Sequence, residues 1–177
     1  DGTVRRIPVE GASDTLPKAV FFPPKGRKLV GQAAADALIA GEEGRYMRAL
    51  KSVLGTALAQ EPRLLGCQRQ TILDVTAAFL REMKNRAEAA TGLAFDHAMS
   101  GRPVRFHSAN AERDAQAEVD LRGCYAAAGF ESVEFLPEPE AAARACQGMA
   151  SQSGLGLIVD IGGGTSDIAI FTDGSIR

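Results

Sequence analysis

Histidine and cysteine are scarce in this chain: two His and three Cys among 177 residues. His97 and His107 have no further ligands at metal-binding spacing, and Cys67, Cys124 and Cys146 form no close pair. That excludes a zinc site. The odd, scattered thiols fit a reduced, cytoplasmic compartment better than a disulfide framework. An excess of charge is missing too. Lys and Arg number 20, Asp and Glu 22, and the formal net charge is -2, so there is no basic footprint for nucleic acid. No apolar run approaches the ~20 residues that a membrane-spanning helix needs. The charged, strand-like start does not read as a signal peptide. What remains is a globular composition, 45% hydrophobic and 24% charged, with chain enough for one domain or two subdomains.

Local patterns divide the chain. Thr3 to Val9 reads as a strand after an Asp1-Gly2 turn, and Ala19 to Phe22 as a short apolar strand closed by the turn Pro23 to Gly26. Val30 to Ala40 is rich in alanine and helix-prone. Gly44 to Ala59 reads as a helix or two short helices interrupted at Gly55. Arg69 to Thr91 is a helix whose apolar face carries Ile72, Val75, Phe79 and Met83, and Gly92 stops it. Beyond it the pattern alternates. A strand lies within Ala98 to Phe106, a helix at Ala111 to Ala128 with Gly129 as its stop, and a strand at Val133 to Leu136. A helix at Ala141 to Met149 and strands at Leu155 to Ile161 and Asp167 to Phe171 complete the order. This order predicts an α/β core with part of its sheet parallel. His97 and His107 are expected at the surface, and Cys124 and Cys146 as small core residues in helices.

The residues that carry chemistry lie in Ile158 to Ile170, IVDIGGGTSDIAI. Three successive glycines cost backbone entropy, and a hairpin needs one or two at most. Gly162, Gly163 and Gly164 would let bare N–H groups face an anion, the arrangement a phosphate requires. Asp160, at the end of an apolar strand, needs a partner, and beside phosphate that partner is Mg²⁺, bound directly or through water. Thr165 can donate its hydroxyl to a phosphate oxygen, and Asp167 follows on the same side of the next strand. A P-loop is excluded, because no G-x-x-x-x-G-K-S/T occurs. A Rossmann turn is disfavoured, because the glycines lead into a strand and not a helix. The competing reading is a glycine-rich hairpin with structural aspartates.

DIGGGTSD resembles the second phosphate motif of the actin-like ATPase superfamily, most closely the D-L-G-G-G-T-x-D form of the heat shock protein 70 chaperones. Further segments are collinear with that family. Leu136 to Ala143, LPEPEAAA, is similar to N-E-P-T-A-A-A. Leu50 to Gly55, LKSVLG, is similar to K-R-L-I-G. TLPKAVFF from Thr15 and LVGQAAA from Leu29 resemble T-T-P-S-x-V-A-F and L-I-G-x-A-A, and FLREMKNRA from Phe79 resembles L-x-x-M-K-E-x-A. The resemblance covers nearly the whole chain, and only the phosphate loop is specific by itself. Departures stand at Pro137, Glu140 and the segment GRPVRFHS with the short insertion after it. They suggest a divergent branch and put interlobe signalling in doubt.

The resemblance implies an actin-like (ribonuclease H-like) fold and the first lobe of a nucleotide-binding domain, a mixed sheet with flanking helices and an expected loss of the N-terminal phosphate hairpin. Residues 10–97 would be a peripheral insertion. Residues 98–177 would be a core subdomain with a crossover helix at 141–149 and a phosphate hairpin at 156–171. ATP or ADP and Mg²⁺ are the implied cofactors. Asp160 and Glu138 would hold the hydrated ion, Gly162 to Thr165 the phosphates, and Lys51 would orient the attacking water or neutralise γ-phosphate charge. Pro103 and Arg113 would be the switch proline and its relay arginine. The implied activity is ATP hydrolysis coupled to a peptide-binding domain, with peptide clients and co-chaperones as partners. The 177 residues alone are expected to bind nucleotide weakly and to be inactive. The alternatives are a filament-forming or cell-division relative, a small-molecule kinase on the same core, or a catalytically silent binding module.

Overall fold

The computed structural model describes residues 5–145, 155–161, 166–172 and 175–176. The glycine loop, Gly162 to Thr165, lies outside the described residues. The architecture is mixed α/β, with four small sheets and five α-helices among the described residues.

The first half is built around β1 (Ala19–Phe22), with β2 (Leu29–Val30) on one edge. Helix α1 (Gln32–Ile39) and strand β3 (Arg45–Arg48) follow, and β3 pairs antiparallel with the other edge of β1. All four β1 side chains are buried, because both faces are covered. Ala19 and Phe21 meet Ala34 and Ala37 of α1, whereas Val20 and Phe22 join Val30, Leu65 and Val75. A continuous apolar run, not an alternating one, is what a doubly covered strand requires.

Arg45–Arg48 corrects the expectation of helix over Gly44 to Ala59. The residues are adequate helix formers, but pairing with β1 outweighs that weak local preference. A 3-10 turn at Leu50–Val53 and a one-turn helix, α2 (Ala57–Gln60), occupy the rest. The hairpin β4 (Arg63–Leu65) and β5 (Gln68–Gln70), turning through Gly66 at φ 60°, also precedes the long helix, so Arg69 is strand and not helix. Arg5 to Val9 form no strand among the described residues. Only a bridge from Glu10 to Ser13 stands there, because no neighbouring strand offers a ladder.

Helix α3 (Ile72–Thr91) opens with a capping box: Thr71 accepts from the Asp74 amide, and Asp74 accepts from the Thr71 amide. Gly92, left-handed at φ 70°, ends it. β6 (His97–Arg102), α4 (Ala111–Ala128) and β7 (Ser132–Pro137) form a strand–helix–strand crossover, and β6 and β7 are parallel. Gly129, at φ 96°, stops α4. Between α3, α4 and this pair lies the main core, containing Leu54, Leu80, Leu121, Cys124, Tyr125, Phe130 and Val133.

Helix α5 (Glu138–Ala145) begins at once after β7, three residues before its expected start. Pro139 fits there because the first helical turn has no use for a proline N–H. Residues 146–149 of the expected helix lie outside the described residues. β8 (Leu155–Ile161) and β9 (Ser166–Thr172) form the expected antiparallel hairpin, with Asp160 opposite Asp167, and β10 (Ser175–Ile176) adds a third strand.

Candidate active site

Ligands of open α/β sheets sit beyond the carboxyl ends of parallel strands. In this chain those ends are Arg102 of β6 and Pro137 of β7. Glu138 stands there because α5 starts on the residue after β7, and it lies in the first helical turn, where a carboxylate is favoured. Gly101 of β6 leaves room for it. A Cβ on Gly101 would lie 3.2 Å from Glu138 Cγ, tighter than most real contacts.

Lys51 reaches the same edge from far away in sequence. Its Nζ donates to the Gly101 carbonyl at 2.6 Å and lies 3.5 Å from Glu138 Oε1. Both side chains are partly shielded, 31% exposed for Lys51 and 25% for Glu138. Burial lowers the Lys51 pKa, the Glu138 carboxylate opposes that, and Lys18 adds to it. The pair is thus a cation and an anion held together in reduced solvent, which strengthens its field over that of a surface pair.

The turn that carries Lys51 is anchored in several ways. Ala49 precedes it in the left-handed region at φ 54°, uncommon for a non-glycine residue. Leu54 is fully buried in the main core. The Leu54 carbonyl meets His107 Nε2 at 2.6 Å, and the Gly55 amide donates to Asp120 Oδ2 at 2.8 Å. Asp120, buried on α4, is satisfied by that amide and by Gln116 Nε2 at 2.9 Å. Gly55, at φ 76°, packs so closely on α4 that a Cβ would lie 2.1 Å from the Arg113 carbonyl oxygen. His107 is therefore half-buried and structural, which corrects its expected place at the surface. His97 is exposed, as expected, and pairs through Nδ1 with Ser132 Oγ. Composition and spacing gave no hint of this Leu54–Gly55 anchorage, because its members are 53 and 65 residues apart.

The structure brings Lys51, Glu138 and the end of β6 together. Pro103 is buried immediately after β6. Arg113 is exposed on the first turn of α4, and its guanidinium makes no hydrogen bond or ion pair among the described residues. The arginine that engages this region is Arg102, which donates to the Pro103 and Val104 carbonyls at 3.1 Å and lies 3.6 Å from Glu118 of α4. Asp160 is in β8, but its side chain lies outside the described residues, as do Gly162, Gly163, Gly164 and Thr165. Among the described residues, no three carboxylate, imidazole or thiol groups cluster to hold a metal ion directly. A lone carboxylate at a strand edge fits magnesium, which keeps most of its own water. No helix among the described residues is long and apolar enough to cross a membrane.

The described residues thus form a mixed α/β chain with a lysine–glutamate pair at the carboxyl edge of two parallel strands. The family model described as Hsp70 protein matches residues 64–175. The Chaperone protein DnaK of Thermotoga petrophila and that of Thermotoga maritima are each 32% identical over 176 residues, 98% of this chain and 28% of the relative. The Chaperone protein DnaK of Thermosipho africanus is 31% identical over 178 residues, 98% of this chain and 27% of the relative. The chain belongs to the Hsp70 family, and so to the actin-like ATPase fold. It spans little more than a quarter of the length of these curated relatives.

Proposed function

We propose that this chain is part of the ATP-binding and ATP-hydrolysing domain of an Hsp70-like molecular chaperone, working in the cytoplasm with ATP or ADP and Mg²⁺. The observation that carries the reading is the meeting of Lys51 and Glu138, 87 residues apart, at the carboxyl edge of β6 and β7. Family membership favours it over a filament protein, a small-molecule kinase or a silent binding module. Residues 10–97 then form the peripheral subdomain and residues 98–177 the core subdomain with the phosphate hairpin, both in the first lobe.

Glu138 and Asp160 would hold the magnesium ion through its water shell. Bound there, the ion would neutralise phosphate charge. Gly162, Gly163, Gly164 and Thr165 offer amides and a hydroxyl to the phosphates. Lys51 presents its ammonium to the γ-phosphate or the attacking water from a turn already fixed, so little reorganisation accompanies the reaction. Pro103, just after β6, and Arg113, on the first turn of α4, would relay a change in phosphate occupancy, and Arg102 links the end of β6 to Glu118 of α4. Peptide clients and co-chaperones would engage other parts of the full-length protein.

The test is Lys51→Ala in the full-length protein. Turnover should fall ~10²–10³-fold while ATP affinity changes far less. A variant with unchanged kcat and weakened ATP binding would show that the lysine only binds nucleotide.

A further inference from the structure

Tyr125 on α4 is buried, and it carries a hydroxyl into the main apolar cluster. A buried phenol needs a partner, and its partner is unusual. The Tyr125 hydroxyl donates to Ser100 Oγ at 2.7 Å, and Ser100, itself buried, donates onward to the Gly101 carbonyl at 3.2 Å. That carbonyl is the one that receives Lys51 Nζ at 2.6 Å. An unbroken polar path therefore runs from the centre of the core to the ammonium of the candidate site.

A purely apolar core could use Phe at 125 and Ala at 100 without leaving a polar atom orphaned. The ring is fixed on two sides, tilted against Phe130 with centroids 5.5 Å apart and edge-on to Phe135 at 6.2 Å. The hydroxyl thus has one direction in which to point. We infer that Tyr125 and Ser100 are positioning residues. They hold the Gly101 carbonyl near the end of β6, so that Lys51 Nζ is presented beside Glu138 in one orientation. The kinetic part of this inference rests on the ATP-hydrolysis reading; the geometric part stands apart from it.

The experiment compares the full-length protein with Tyr125→Phe, Ser100→Ala, Lys51→Ala and the double variant Lys51→Ala/Tyr125→Phe. Tyr125→Phe keeps the ring and loses only the hydroxyl, so folding is retained. Steady-state kinetics should show kcat down about 5–20-fold in Tyr125→Phe and in Ser100→Ala, the effect of losing one orienting hydrogen bond, with KM for ATP within twofold. The double variant should be no slower than Lys51→Ala, because the hydroxyl acts through the lysine. A second readout needs no turnover: the ¹³C resonance of the Gly101 carbonyl, which moves upfield when its hydrogen bonds weaken. It should move in Lys51→Ala and in Tyr125→Phe alike. Wild-type kcat in Tyr125→Phe beside a slow Lys51→Ala overturns the inference and leaves the ATPase reading intact. Loss in the double variant beyond Lys51→Ala overturns it as well. Should the wild-type protein or Lys51→Ala contradict the ATPase reading, the Gly101 resonance decides alone: displacement in Tyr125→Phe upholds the positioning path, and an unmoved resonance overturns it.

Discussion

Replacing Gly55 by alanine should damage both the fold and the site. Gly55 has φ 76°, where an L-residue is disfavoured, and alanine there costs about 1 kcal/mol. The larger cost is steric. The new Cβ would lie 2.1 Å from the Arg113 carbonyl oxygen, 2.9 Å from Ala117 N and 3.0 Å from Ala117 Cβ. These are mostly backbone atoms in the first turns of α4, so no side chain can swing aside, and overpacking of this kind costs about 1–3 kcal/mol. Moving the turn outward would stretch the 2.8 Å bond from the Gly55 amide to buried Asp120, a charged hydrogen bond of about 1.5–3 kcal/mol. The expected loss is about 3–5 kcal/mol, a large share of the stability of an ordinary domain. Gly92→Ala is the control. It shares a left-handed φ of 70°, but nothing lies within 4 Å of its Cβ, so it should cost only about 1 kcal/mol. Urea titration read by hydrogen-exchange mass spectrometry on peptides from α3 and α4 would report both values locally. Equal losses for the two variants would refute the close-packing argument. A stable Gly55→Ala protein with normal turnover would show that the turn does not govern Lys51.

Three further outcomes are expected besides the Lys51→Ala result. Thr71→Ala removes half of the α3 capping box and should destabilise by about 1 kcal/mol, and Thr71→Ser should recover most of it in the same urea titration. Burial first, then the charges of Asp120 and Asp74, pushes the Cys124 thiol up to about 12, whereas Cys67 is exposed. Iodoacetamide at pH 8 should therefore modify Cys67 and spare Cys124, as peptide mass spectrometry would show. The unfolded thiol ionises near 8.5, so the folded state binds the extra proton above that value. Stability from this group should be full below about pH 8.5 and decline as pH rises toward 12.

The long elements were legible in the sequence because their signals are local. Gly92 and Gly129 mark the ends of α3 and α4, and Val75, Phe79 and Met83 mark faces of α3 that meet the two cores, with Ile72 buried in its first turn. The parallel pair β6–β7 followed from strand–helix–strand order alone. β3 and the β4–β5 hairpin were not legible, because Arg45–Arg48 and Arg63–Gln70 become strands through pairing partners and not through their own preferences. At the candidate site, Lys51 and Glu138 could be named from family motifs, but their contact through the Gly101 carbonyl could not. Nor could Asp120, His107, Ser100 or Tyr125 be named, since each has a hydrogen-bond partner distant along the chain and matches no motif.

The 87-residue separation between Lys51 and Glu138 also has a temporal side. At ribosomal speeds of about 5–20 residues per second, Lys51 precedes its carboxylate by roughly 4–17 s. Helix α3 and then α4 are made in that interval, so the lysine turn gains its support on α4 before it has an anion to face. Translation thus orders the birth of this candidate site: cation first, scaffold next, counter-charge last.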